Sequence, residues 1–242
     1  MLNHWVTRSI STDWQRTLWV NIHPVNGDNS AEVQAYIDSL QEKEFAGVVD
    51  FFARETERYS QGSEQAIRLF LANVVDEVPP PPPFEGNLVQ RISWSLQMRW
   101  WSYSKTRNDP APTPDIRLFL VLHEAKAQRT LAHSYGLQKG MLAFVNGFAD
   151  RRHRGSNNVI IAHEILHTLG ASDKYDLNTG LPFIPDGLAN PNQEPLYPQA
   201  EAEIMGGRRL LGPGLAEMPN GLQKVRIGPI TAHEIRLQAL EN

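Results

Sequence analysis

Apolar positions along the chain fall into strand-like runs and helical steps that alternate. Residues 17–22, Thr-Leu-Trp-Val-Asn-Ile, form a compact apolar run and predict a buried strand, closed by His23-Pro24 and the turn residues Asn26, Gly27 and Asp28. Ser30 is a candidate N-cap. Beyond it Val33, Tyr36, Ile37, Leu40, Val48, Phe51 and Phe52 step at helical spacing over residues 31–59, with Gly47 marking a break. A second strand is expected over residues 67–75. Its opening Ile-Arg-Leu-Phe-Leu recurs at 116–120, which indicates two similar strands, since no fixed period continues. The proline run 79–83 must be extended, as a stiff connector or a ligand for a proline-reading module.

Val89, Ile92, Leu96, Trp100 and Tyr103 then predict a helix over 87–104, although a strand stays open there, and 109–114 reads as a turn-rich linker. Residues 116–122 and 141–148 are the clearest strands, separated by a loop or short helix within 132–140. The order strand, helix, strand, helix, strand, strand, helix implies an α/β (α+β) fold. A twisted, mainly parallel sheet backed by helices is expected, with one late antiparallel strand. Residues 175–203 are rich in Pro, Asp, Asn and Gly and lack a period, and a loop that long is usually functional. Residues 231–240 predict a last amphipathic helix, with His233-Glu234 on its surface.

The densest candidate chemistry lies at 161–176, where His163-Glu164-x-x-His167 sits in a helical pattern. Residues four apart on a helix are rotated by only about 40°, so both imidazoles project from one face and can grip one ion with Glu164 beside it. Gly155 to Asn158 offer a loop and an N-cap before the apolar face of Val159, Ile160, Ala162, Ile165, Leu166 and Leu169. Gly170 can take the left-handed conformation that stops a helix, so Asp173 could swing back as a third ligand.

His-Glu-x-x-His-x-x-Gly-x-x-Asp resembles the metzincin metallopeptidases, especially the snapalysin-like branch in which aspartate replaces the usual third histidine. Glu203-Ile204-Met205-Gly206-Gly207 looks like that family's Met-turn, with Met205 packed beneath the histidines. The resemblance implies a zincin-like single domain. Residues 1–170 would form an upper subdomain with the sheet and active-site helix, and 171–242 a lower one with the Met-turn and C-terminal helix. It implies one catalytic zinc on His163, His167 and Asp173, and endopeptidase chemistry with Glu164 as general base. Tyr175 and Asp176 follow closely, so a neighbour of Asp173 is the alternative third ligand. Tyr175, Tyr197 and Arg208 are candidate stabilisers of the oxyanion. Strand 141–148 would be the cleft edge, where Ala143, Phe144, Val145 and Asn146 pair with an extended peptide.

Composition narrows the alternatives. The 242 residues carry a net charge of -4 with mixed signs, so no electrostatic footprint for nucleic acid or an anionic membrane dominates. The chain has no cysteine, which excludes disulfides, thiolate ligands, cysteine nucleophiles and a cysteine-based latency switch. Residues 1–10 lack a signal-like apolar run and no stretch reaches the length of a membrane span, so a soluble, cytoplasmic protein is expected. Asp173, Asp176 and Asn178 offer oxygens for calcium, without the EF-hand pattern. Two further readings remain. One is a zinc-stabilised module that binds a peptide without cutting it. The other is single-strand nucleic-acid binding through Arg91, Trp94, Arg99, Trp100, Trp101, Lys105 and Arg107.

Overall fold

A computed structural model describes residues 14–59, 65–83, 86–126 and 130–237. The segment 1–10 and Leu240 of the expected last helix lie outside the described residues. Strand β1 (Leu18–Asn26) leads to helices α1 (Ala31–Asp38) and α2 (Ala46–Arg58), then β2 (Ile67–Leu71), α3 (Leu88–Thr106) and β3 (Ile116–His123). β4 (Tyr135–Leu137), β5 (Leu142–Phe148) and α4 (Arg154–Leu169) follow. The remainder holds β6 (Ala202–Glu203), β7 (Arg209–Gly212), β8 (Leu215–Glu217), β9 (Val225–Arg226) and α5 (Pro229–Glu234).

Five strands form one sheet in the order β2-β1-β3-β5-β4, all parallel except β4 against β5. Both faces of its centre are covered, which is why the central strands read as continuous apolar runs. Leu118, Leu120 and Leu122 of β3 face the larger core with Phe51, Phe52, Ile161 and Ile165, whereas Phe119 and Val121 face a smaller core with Met98, Trp101 and Phe144. Among the described residues no helix is long and apolar enough to cross a membrane.

Several boundaries depart from the sequence reading for local reasons. His23-Pro24 does not end β1, whose pairing with β3 runs on to Asn26. On the other side β2 stops at Leu71 opposite Ile22, so the missing N–H of Pro24 forfeits no ladder bond, and its carbonyl accepts from Val75 N at 2.9 Å. β2 is correspondingly shorter than the 67–75 run, with Val75 returning as an isolated bridge to Val25. The helical break falls after Asp38, where Ser39 Oγ donates to the Tyr36 carbonyl at 2.7 Å. Gly47 lies inside α2 instead.

α3 begins at a reciprocal cap between Asn87 and Gln90, close to the expected start. The stripe that revealed it does not face the core. Val89, Ile92, Leu96, Trp100 and Tyr103 are all exposed, and α3 packs through Met98, Trp101, Ser102 and Thr106. The residues proposed for nucleic acid are therefore dispersed. Trp101 lies edge-on to Phe119, Trp94 is against Tyr135 and donates to the Pro80 carbonyl of the proline connector, and Lys105 pairs with Glu77 and Asp76.

The antiparallel edge is not the strand expected. β5 is interior, paired with β3 on one side and β4 on the other, and Ala143, Phe144 and Val145 are buried. The edge is β4, three residues inside the stretch read as a loop or short helix. A run of Tyr-Gly-Leu is too short to show a period. The last helix also starts earlier than expected, with Pro229 in its first turn, and ends at Glu234.

Candidate metal centre

α4 starts at Arg154, so the polar segment Gly155 to Asn158 is helix and not a preceding loop. Its polar side chains serve backbone elsewhere. Asn157 accepts from Phe148 N at 3.2 Å and donates to Phe148 O at 2.9 Å, and Asn158 donates to Glu44 O at 2.9 Å. Gly155 permits contact with the 220 region, since a Cβ there would lie 2.0 Å from the Asn220 carbonyl. These ties fix the helix that carries both histidines.

At the other end Gly170 has φ of 114°, and its N–H reaches the Leu166 and His167 carbonyls at 3.1 Å. This is the left-handed stop expected from the sequence. The chain reverses and brings Asp173 Oδ1 to 3.1 Å from His163 Nε2 and 3.2 Å from His167 Nε2. The two rings are 4.7 Å apart at 82°. Each Nδ1 faces a backbone carbonyl, Ile204 O at 2.9 Å for His163 and Ala171 O at 2.8 Å for His167. A carbonyl can only accept, so both Nδ1 atoms carry protons and the Nε2 atoms turn toward the shared point.

His163, Glu164 and His167 each offer a ligand atom within 4.8 Å of the others, a group able to hold a metal ion. Asp173 Oδ1 lies closer still to both imidazoles. A tetrahedral ion with bonds of about 2.0–2.1 Å separates its ligands by about 3.3 Å, so the spacing of the two Nε2 atoms from Asp173 Oδ1 suits one. Glu164 is nearly fully buried, and its Oε2 has no hydrogen-bond partner among the described residues. A buried carboxylate oxygen left without a partner is uncommon in a packed interior.

The charges reinforce one another. Burial disfavours a charged His163, but the bond to Asp173, the charge of Glu164 and the Ile204 carbonyl outweigh it and raise its pKa to about 9. Burial also works against ionised Asp173, yet the two histidines hold its carboxyl well below the usual range. Glu164 is pushed up to about 6 by burial, with the histidine charges pulling the other way. The Tyr175 phenol is pushed up to about 12 by burial and by the Asp173 and Glu164 carboxylates, and its ring centre lies 6.4 Å from that of His163.

Met205 is fully buried, and the turn that holds it works through backbone atoms. Ile204 O receives His163, while Met205 O accepts from Lys174 N at 2.8 Å, so adjacent carbonyls hold one histidine and the segment just after Asp173. Glu203, fully buried, accepts from Gly206 N at 2.7 Å, Gly228 N at 3.0 Å and Thr231 Oγ1 at 2.7 Å. Above, β4 presses on α4. A Cβ on Gly136 would fall 2.6 Å from His167 Cβ and 2.8 Å from the Glu164 carbonyl.

Of the remaining candidates, Tyr175 borders the histidines, Arg208 lies against Gly180, and Tyr197 sits in a segment with cis bonds at 194–195 and 197–198. Among the described contacts neither Arg208 nor Tyr197 reaches His163, His167 or Asp173. Of the oxygens named for calcium, Asp176 Oδ1 accepts from Asn178 N and from Thr179 N and Oγ1, whereas Asp173 Oδ1 turns to the histidines. The Ile204 and Ala171 carbonyls were invisible to sequence reasoning because any residue supplies a carbonyl. Glu203, directly before the Ile-Met-Gly-Gly turn, had a signal in its position. Glu234, expected at the surface, instead binds Ser172 and Lys174. No protein-family model matches the chain, and no curated protein matches it.

Proposed function

We propose that the chain is a zinc-dependent endopeptidase of metzincin-like design, with His163, His167 and Asp173 as ligands and Glu164 as general base. The observation that carries this reading is the convergence of two imidazole Nε2 atoms on one carboxylate oxygen at 3.1 and 3.2 Å, beside the buried Glu164, whose Oε2 has no hydrogen-bond partner among the described residues. Two imidazoles and a carboxylate are a donor set that suits zinc, and backbone carbonyls fixing the far ring nitrogens are typical of its surroundings. When bound, zinc supplies a Lewis acid that acidifies water and polarises a carbonyl.

The chain's own groups supply the proton traffic. Glu164, with a pKa near 6, is mostly ionised at neutral pH and can take the proton of an attacking water. It can then deliver that proton to the departing amine nitrogen as the C–N bond breaks. The Tyr175 phenol stays protonated across neutral pH and is the nearest donor candidate for the developing oxyanion. An extended peptide would pair with the open edge of β4, beside α4, and not with β5.

The test is a peptide-library digest with the zinc-loaded protein, with and without chelator, beside metal analysis. Cleavage that stops on chelation and returns with zinc is expected. Glu164→Gln should lower turnover ~100- to 10,000-fold while keeping the metal. Stoichiometric zinc without cleavage would point to a peptide-binding module, and full activity in Glu164→Gln would overturn the assignment.

A further inference from the structure

Asp173 sits on the short segment between Gly170 and β-bridge residue Tyr175, outside any helix or ladder, yet it must present one oxygen to two fixed imidazoles. Its neighbours on both sides are gripped by one side chain. Glu234, the last residue of α5, accepts from Ser172 N at 3.0 Å and Ser172 Oγ at 2.5 Å, and its Oε2 lies 2.7 Å from Lys174 Nζ. Lys174 Nζ also donates to the Ser172 carbonyl at 3.0 Å, which closes the loop across Asp173. The Lys174 side chain is almost fully buried and Glu234 is partly so, so the pair is screened less than one on the open surface.

α5 is itself anchored at both ends. Glu203, at the start of the turn below the histidines, takes Gly228 N and Thr231 Oγ1 at its beginning. Beyond its end the Ile235 carbonyl accepts from Trp14 Nε1 at 2.9 Å, and Ile235 and Leu237 are fully buried. The helix thus bridges the carboxylate under one ligand and the loop of another.

We infer that Glu234 is a positioning residue for the metal, setting Asp173 through Ser172 and Lys174 so that its Oδ1 is preorganised between His163 and His167. This rests on the reading of those three residues as a ligand set. A loop already held in its binding conformation loses less entropy when the ion arrives, so the clamp should act on metal affinity. It should act much less on the fold of the rest of the chain.

The experiment measures zinc affinity by chelator competition and the visible spectrum of the cobalt-substituted protein, together with the melting of metal-free and metal-loaded forms. His163→Ala should abolish high-affinity binding. Glu234→Ala should weaken zinc ~10- to 100-fold and alter the cobalt spectrum, while the metal-free melting temperature falls by only a few degrees and the chain still folds. Ser172→Ala, which removes the two bonds of Ser172 Oγ, to Glu234 and from Lys174, and leaves the ion pair, should show a smaller loss in the same direction and serves if Glu234→Ala does not fold. Wild-type affinity and an unchanged cobalt spectrum in the folded variants would overturn the inference while leaving the metal site intact. Retained binding in His163→Ala would overturn the ligand assignment and the inference with it.

Discussion

Residues 14–169 and 170–237 meet at the candidate metal centre but are held together by different means. The first region is a ladder of strands with helices over both faces, and its order comes from repeated backbone bonds and apolar burial. The second has strands of two to four residues and one helix of six. Buried carboxylates and amides gripping backbone groups do there what ladders do above. Glu203 holds Gly206 and Gly228, Gln199 holds Asn190 and Leu196, and Glu55, reaching down from α2, takes Ile227 N. Regular structure shares its load over many equivalent bonds, whereas the irregular half concentrates it on a few atoms.

The contrast is sharpest at Glu203. Glu203→Ala would leave three buried donors unsatisfied, and a loss of about 4 kcal/mol is expected in chemical denaturation, with zinc affinity falling because Ile204 no longer holds His163. A loss below about 1 kcal/mol would mean that the irregular half is held mainly by packing.

Gly136→Ala probes the upper half at the same site. Its Cβ would strike the α4 backbone and His167, so a loss of about 2 kcal/mol is expected, together with weaker metal binding. Turnover on short peptides should fall further if β4 is the edge that receives substrate.

A smaller effect depends on pH. Burial would raise the pKa of Glu234, but the bonds from Lys174 and Ser172 outweigh it and hold the carboxyl below its ordinary value. A carboxyl depressed in the fold adds stability above its unfolded pKa, and that increment disappears as pH falls through the lowered folded value. The gap in melting temperature between wild type and Glu234→Gln should be full near pH 7 and shrink as pH falls below the ordinary glutamate value and through the lowered one. A gap that stays constant to acid pH would assign the difference to shape alone. The smallest effect is expected at Trp100, 71% exposed on α3, where Trp100→Ser should change stability by no more than about 0.5 kcal/mol. A larger loss would show that the exposed stripe is covered in solution.

That stripe shows how far a periodic pattern reaches. Val89, Ile92, Leu96, Trp100 and Tyr103 located the helix because spacing depends on 3.6 residues per turn, but spacing does not say which face meets a neighbour. Met98 and Trp101 turn inward because the sheet beneath presents Phe119 and Phe144. β4 escaped notice for the opposite reason: three residues carry no pattern, and its place follows from pairing with β5.

At the candidate metal centre the chain alone determined what one helix and its stop can do. The i, i+4 spacing of His163 and His167, Glu164 between them and the left-handed Gly170 are local features, fixed by helical geometry and the missing side chain of glycine. Tertiary structure decided what depends on distant partners: that Ile204 orients His163, that Gly136 lets the edge strand approach α4, and that Glu234 lies beside Ser172 and Lys174. Those contacts join residues 28 to 62 positions apart, or use backbone atoms common to every residue, so no short-range pattern encodes them.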